Sequence, residues 1–209
     1  AGILYDAGAR IICLDIAHGH HAMMKSAIKK LKEVFGDDIH IMAGNVASLE
    51  AFDDLSKWGA DSIRVGIGGG SICSTRIVTG HGVPTLQSVL DCSRSVYDTK
   101  IIADGGIKTT GDVVKAIAAG ADFVIVGSML AGTNETPGAV LTTVSGEKYK
   151  EYRGMASKKA QYNWRGKSST PEGVATTVPY KGSVKHTLLD IAGGLRSGLS
   201  YSGSRTIAE

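Results

Sequence analysis

The sequence predicts an α/β fold in which parallel strands are covered by helices. Three observations carry this reading. Short apolar runs alternate with longer amphipathic stretches along the chain. The runs are β-branched and do not alternate in polarity, as in strands covered on both faces. Several of them end in glycine or a polar residue, at the edge where parallel α/β folds place their ligands.

The first run is 9–15 (ARIICLD), a strand expected to be buried, with Cys13 in the core. Residues 22–35 carry apolar positions at helical spacing. A strand at 40–44 (HIMAG) and a helix at 49–58 follow. The strand at 62–67 (SIRVGI) opens into a long glycine-rich loop. A helix at 85–97 carries Cys92 in a structural role. A strand at 100–103, a helix at 111–119 and a strand at 123–126 (FVIV) complete the regular part. This makes five strand–helix units. A closed (β/α)8 barrel needs eight, so about three are expected upstream of Ala1. Beyond Glu147 the pattern changes. Residues 156–183 are polar and aperiodic and read as a long loop or flap, and 186–197 resumes helical spacing.

Composition narrows the function. With 209 residues, 43% hydrophobic and 21% charged, the chain supports one substantial core and gives no case for two independent domains. The net charge of +3 comes without a dense Lys/Arg run. That argues against nucleic acid as a partner and suits a small anionic substrate. The Lys and Arg residues of 153–167 read as a solvated face. Three unevenly spaced cysteines are no disulfide framework and point to a reducing cytoplasm. No apolar stretch has membrane-spanning length, so no membrane partner is expected.

The chemistry concentrates in 66–82 (GIGGGSICSTRIVTGHG). Gly68, Gly69 and Gly70 let backbone N–H groups converge on an anion, and Ser71 adds a hydroxyl. Cys73 follows, ahead of Arg76, where a thiol can have a lowered pKa and act as nucleophile. Thr75 is placed to position or deprotonate a water or leaving group. From spacing alone, a flexible loop with an incidental cysteine reads equally well. Asp104, Gly105 and Gly106 end one strand, and Gly127 and Ser128 end the next, as a carboxylate for sugar hydroxyls and glycines for phosphate oxygens would. Asp15, His18, His20 and His21 lack the Cys or Glu pattern of a metal site, and a solvated loop touching a cofactor fits them better. Trp164 reads as either a packed anchor or a stacking surface.

These residues together resemble the IMP dehydrogenase/GMP reductase family over nearly the whole chain. The carrying segments are LDIAHGH (14–20), MAGNVAS (42–48), VGIGGGSICSTR (65–76), the run from 101 to 138, YRGMAS (152–157) and PEG (171–173). The resemblance implies a (β/α)8 barrel, of which this chain supplies about the last five units plus a flap. It implies a purine 5′-monophosphate, GMP or IMP, with its phosphate on Ser71, Gly106, Gly127, Ser128 and Tyr152, and with Gly105 and Gly154 in the same loops. Asp104 would hold the ribose, and Met155, Ala156, Glu172 and Gly173 would line the base. Cys73 would attack C2 of the purine, assisted by Thr75 and Glu172. Asp15, His18 and Gly19 would face the nicotinamide cofactor, NADP(H) or NAD(H). The carbonyls of Gly68, Gly70 and Cys73 would hold a monovalent cation, potassium being the candidate. Gly69 departs from the family's usual proline or serine and loosens that loop. A homotetramer is implied as well.

Two activities share this covalent chemistry. The dehydrogenase branch activates water with an Arg-Tyr dyad on a mobile flap. Here Gly166, not a tyrosine, follows Arg165, and Tyr162 lies three residues earlier. VKHT and DIAGGLRS lean towards the reductase, whereas AHGH and STRIV resemble bacterial dehydrogenases. The balance favours GMP reductase. IMP dehydrogenase is the alternative, and a non-catalytic nucleotide-binding homologue stands behind both.

Overall fold

A computed structural model describes all residues from Ala1 to Glu209. In chain order the elements are α1 (Gly2–Asp6), β1 (Ile11–Asp15), α2 (Ala22–Phe35), β2 (His40–Val46), α3 (Leu49–Trp58), β3 (Ser62–Val65), α4 (Thr75–Thr79), α5 (Thr85–Cys92), β4 (Lys100–Asp104), α6 (Thr110–Ala118), β5 (Phe123–Ile125), β6 (Leu141–Thr142), β7 (Lys148–Arg153), α7 (Lys158–Arg165), β8 (Ala175–Pro179) and α8 (Val184–Tyr201). They form two compact units. One comprises Ala1–Ile67, Val83–Asp104 and Lys115–Ile125, and the other Gly68–Gly82, Gly105–Val114 and Val126–Glu209.

The first unit holds a five-stranded sheet in the order β1-β2-β3-β4-β5, parallel throughout. All five strands expected from the sequence are present. Ile41, Ala43, Ile63, Val65 and Ala103 from its central strands are sealed from solvent, together with Ile28 of α2, Phe52 and Leu55 of α3, and Val89 and Cys92 of α5. The edge strands differ. In β1, Ile12 and Leu14 are half-buried, while Ile11, Cys13 and Asp15 on the other face are exposed. Within this chain Cys13 is therefore exposed on an edge strand rather than placed in the core. Hydrophobicity reports burial only where a partner covers the face, and β1 pairs with β2 alone. At the other edge Phe123 is likewise exposed.

Three helix-to-strand turns use the same device. Gly8, Gly59 and Gly120 take φ of 98°, 108° and 107°. The N–H of the alanine after each reaches back five residues, Ala9 to Leu4 O, Ala60 to Leu55 O and Ala121 to Ala116 O, at 2.9, 3.1 and 3.0 Å. This satisfies a carbonyl that the helix end would otherwise orphan. Asp61 and Asp122 then lock the next strand. Asp61 donates its N–H to Ile41 O at 2.9 Å, and its carboxylate accepts the Ile41 N–H at 2.7 Å. Asp122 does the same with Ile101 at 2.9 and 2.8 Å. Strand register is thus pinned on the side opposite the glycine-rich strand ends.

The second unit carries a three-stranded antiparallel sheet, β6-β7-β8. Residues 156–183, expected to be a loop, contain α7 and β8. Ser157 caps α7 by accepting the Ala160 N–H, and Gly166 ends it at φ 68°. Its buried residues are only Ala160 and Gln161, a face too narrow to give apolar periodicity. Strand β8 (ATTVP) is mostly exposed and is fixed by pairing along β7, from Tyr149–Pro179 to Arg153–Ala175. Helix α8 extends the expected 186–197 in both directions. A Cβ at its Gly194 would meet Thr110 Oγ1 at 2.6 Å, and one at Gly198 would meet Val114 side-chain carbons at 2.7 Å.

Two glycine substitutions separate these roles. Gly59→Ala forces an L side chain into a left-handed backbone and should lower unfolding free energy by about 1–2 kcal/mol. Gly193→Ala, in the interior of α8 with open space around its Cβ position, should raise it by about 0.5–1 kcal/mol. Chemical denaturation midpoints of the two variants check both signs.

Candidate active site

In the first unit a single guanidinium organises the strand ends. Arg64, on β3, reaches Asp104 at the end of β4 (Nη2–Oδ2 2.7 Å, Nε–Oδ2 3.1 Å) and Asp15 at the end of β1 (Nη1–Oδ2 2.9 Å). The side chains of Arg64 and Asp104 are 17% and 16% exposed, and that of Asp15 is 60% exposed. Burial works against the Arg64 charge. Hydrogen bonds to Asp104 and then Asp15, with the charges of the same two carboxylates, outweigh it and push the guanidinium above its ordinary range. Asn45, at the end of β2, donates from Nδ2 to Asp104 Oδ2 and to Gly66 O, both at 2.8 Å. These three donors to the Asp104 carboxylate all land on Oδ2, not Oδ1. Gly66 has φ 140°, and a Cβ there would fall on the Asp104 carbonyl.

The loop after β1 is tied to the same strand end. Gly19 is buried and donates to Asn45 O at 2.7 Å; a Cβ at Gly19 would sit 3.0 Å from that oxygen. Packing therefore accounts for this glycine. His18 is exposed and meets the His20 ring edge-on at 6.4 Å. His20 bonds Asp54 at 2.9 Å and stacks on Trp58, while His21 caps α2 by accepting the Met23 N–H. The imidazoles so diverge into separate structural duties.

In the second unit three loops interlock. Val174 donates to Ile72 O at 3.0 Å, Ser74 to Glu172 O at 2.8 Å, Gly154 to Val174 O at 3.1 Å and Glu172 to Ala156 O at 3.2 Å. Gly173 lies between the strands so formed, with Ser157 N 3.1 Å from its Cβ position. This pairing brings together residues 97 apart in sequence. The half-buried Cys73 thiol donates to Thr75 Oγ1 at 3.2 Å, and Thr75 Oγ1 donates to Glu172 Oε2 at 2.8 Å. A thiol, a hydroxyl and a carboxylate in series form a path for a proton to leave sulfur or return from the carboxylate. Gly105 packs on the loop, its Cβ position 3.0 Å from both Gly69 C and Gly70 N, and Gly106 follows with φ 80°. Gly127 faces Tyr152 OH at 3.2 Å. Ser71 and Met155 are exposed, as is Trp164, which stacks under the Arg165 guanidinium at 4.2 Å.

The model of the IMP dehydrogenase / GMP reductase domain matches residues 1–209. The chain belongs to the IMP dehydrogenase/GMP reductase family. It is 46% identical to inosine-5′-monophosphate dehydrogenase of Nitrosopumilus maritimus, covering 99% of this chain and 46% of that protein. It is 48% identical to a GMP reductase of Leishmania major, covering 100% of this chain and 45% of that protein. A crystal structure of GMP reductase from Trypanosoma brucei in complex with guanosine 5′-monophosphate superposes with a TM-score of 0.91 at 46% identity, covering 98% of this chain and 44% of that one. Inosine 5′-monophosphate dehydrogenase from Legionella pneumophila gives 0.85 at 52% identity, covering 99% and 64%. The chain spans under half the length of these two curated relatives. The expected fold class holds: α/β on the family's (β/α)8 plan, with five of its strand–helix units.

Arg64 was missed as a site residue. Its signal was present, because a charged residue inside an apolar strand must find partners or remain costly. The partners themselves, Asp15 and Asp104, were found as strand-end carboxylates, but nothing in their spacing says that one arginine joins them.

The three thiols should react differently. Burial, followed by the charges of Asp91 and Asp53, pushes the Cys92 thiol up to about 12. Iodoacetamide at pH 8, read by peptide mass spectrometry, should label the exposed Cys13 and the half-buried Cys73 and spare Cys92 until the protein unfolds. Because the folded value of Cys92 lies above the ordinary 9.0, its contribution to stability is intact below about pH 9 and is lost as pH rises towards 12.

Proposed function

We propose that this protein is a GMP reductase, converting GMP to IMP and ammonia with NADPH through a covalent bond between Cys73 and C2 of the purine. The choice of branch rests on Arg165. Its guanidinium lies over Trp164, and the next residue is the left-handed Gly166 that ends α7. A phenol beside the guanidinium, which would complete a water-activating pair, is missing from that position. Identity to dehydrogenases and reductases is nearly equal, so it does not decide between them.

The Cys73–Thr75–Glu172 series suits the reductase direction. The thiol proton passes through Thr75 Oγ1 to Glu172 as sulfur bonds C2. The same relay returns a proton to the departing amine, so that ammonia leaves. When bound, a reduced nicotinamide would supply the hydride that replaces the C2–S bond. Cys73 then departs as thiolate, and IMP is released. On this reading Asp104 Oδ1 accepts from the ribose hydroxyls. Ser71, Gly106, Gly127, Ser128 and Tyr152 hold the phosphate, with Gly105 and Gly154 allowing close backbone approach. Met155, Ala156 and Gly173 line the base. The exposed carboxylate of Asp15, with His18 and Gly19, fits a cofactor that presents sugar hydroxyls. The Gly70 carbonyl accepts the Cys73 N–H at 3.1 Å and keeps a second lone pair, which with the carbonyls of Gly68 and Cys73 suits a potassium ion. A cytoplasmic homotetramer completes the proposal. No helix of this chain is long and apolar enough to cross a membrane.

The deciding assay follows the nicotinamide absorbance. GMP with NADPH should bleach it, and IMP with NAD+ should leave it unchanged. Cys73→Ala should abolish turnover while nucleotide binding persists. Glu172→Gln should slow ammonia release more than hydride transfer. Oxidation of IMP at about 1 s⁻¹, within the ordinary enzyme range, with GMP untouched would establish the dehydrogenase instead. Binding without either turnover would establish a non-catalytic homologue.

A further inference from the structure

The segment from Gly127 to Thr136 is held by lysines from two directions. Gly127 to Ala131 form one helical turn, closed by the N–H groups of Leu130 and Ala131 on Gly127 O at 3.1 and 3.0 Å. The turn stops at Gly132, whose φ is 90° and whose Cβ position is filled by the Pro179 carbonyl. A second turn would have supplied N–H donors to the carbonyls of Ser128 and Met129. The Lys181 ammonium takes that place, donating to Ser128 O at 3.0 Å and Met129 O at 3.1 Å. Lys150, sealed from solvent, donates to the carbonyls of Thr133 and Thr136.

Lys181 is exposed, but its backbone is held in place. Its N–H donates to Gly132 O at 2.9 Å, and Asn134 N–H donates to Gly182 O at 2.8 Å. Tyr180 OH donates to Asn134 Oδ1 at 2.6 Å, and Glu135 accepts from Val184 N–H at 2.8 Å. The strap 180–184 therefore presents one cation to two adjacent carbonyls. A peptide unit is planar and trans, so fixing the Ser128 carbonyl also fixes the Met129 N–H, which points the opposite way.

We infer that Lys181 is a positioning residue for the nucleotide phosphate, acting through the Ser128–Met129 backbone. This rests on the reading of Gly127 and Ser128 as phosphate contacts. The ammonium holds the peptide planes in the orientation that receives the anion, so the ordering cost is met before the ligand arrives. It also adds a positive charge near the phosphate.

Titration calorimetry with GMP and with guanosine tests it. Lys181→Met should weaken GMP about tenfold or more, the worth of a charge-assisted hydrogen bond, and leave guanosine unchanged. Lys181→Arg should recover most of the loss. Should the Met variant fail to fold, Lys181→Gln keeps a neutral donor and should show the same selective loss. An equal loss for GMP and guanosine would mean general damage and overturn the inference. Ser128→Ala separates the two layers. If it weakens GMP while Lys181→Met does not, the Lys181 role is wrong and the phosphate placement stands. If neither variant affects GMP, the phosphate placement fails and takes the Lys181 role with it.

Discussion

The arginine on β3 is the constraint around which the first unit is built. A guanidinium at 17% exposure cannot remain unpaired, since a buried charge without partners costs more than most single contacts return. Its partners come from β1 and β4, and Asn45 of β2 joins through Asp104. The ends of four adjacent strands are thereby tied to one another. The requirement that Gly66 have no side chain, and that Gly19 lie flat on Asn45, follows from how closely these ends approach. This also complicates a simple reading of an Asp104→Ala variant. Removing that carboxylate strips Arg64 of its principal partner, so any effect of the variant on binding would be mixed with lost stability.

The second unit solves a different problem, the alignment of groups far apart in sequence. Backbone pairing of Ile72, Cys73 and Ser74 with Glu172, Gly173 and Val174 sets the spacing of the Cys73–Thr75–Glu172 series before any side chain is considered. Glycine suits position 173 because a Cβ there would press on Ser157 N at 3.1 Å and Ala156 C at 3.3 Å. The alignment of these three groups is consequently a property of main-chain geometry, with side chains hung on a fixed frame.

The legible parts of this protein were those written in local pattern. Five parallel strands, their helices and the glycine-rich loop follow from period, β-branching and glycine placement. Asp104, Gly106, Gly127 and Ser128 stand out in the sequence because they lie at or just after strand ends. Burial at the sheet edge was not legible, since ARIICLD has the same composition whether or not a neighbour covers it, and Cys13 is exposed within this chain for that reason. Helix α7 escaped because its stability rests on two caps and a narrow buried face, and β8 because a polar strand is specified by its partner. Arg64 and Lys181 act across loops, through distances that spacing in the chain does not encode.

The three glycine–alanine turns carry a consequence for how such a chain can change over time. Each joins helix to strand with an αL glycine and a five-residue back-bond, and two add an aspartate that clasps the neighbouring strand at both its N–H and its carbonyl. Inserting or deleting even one residue there would break the clasp and slide the strand. The opposite ends are tied by side chains instead, through Arg64, Asp15, Asp104 and Asn45, and the connection from Val65 to Thr85 runs far longer than the one from Val46 to Leu49. A change of loop length is therefore better tolerated at the other rim, where the connections already differ in length. The clasped rim keeps each strand in step.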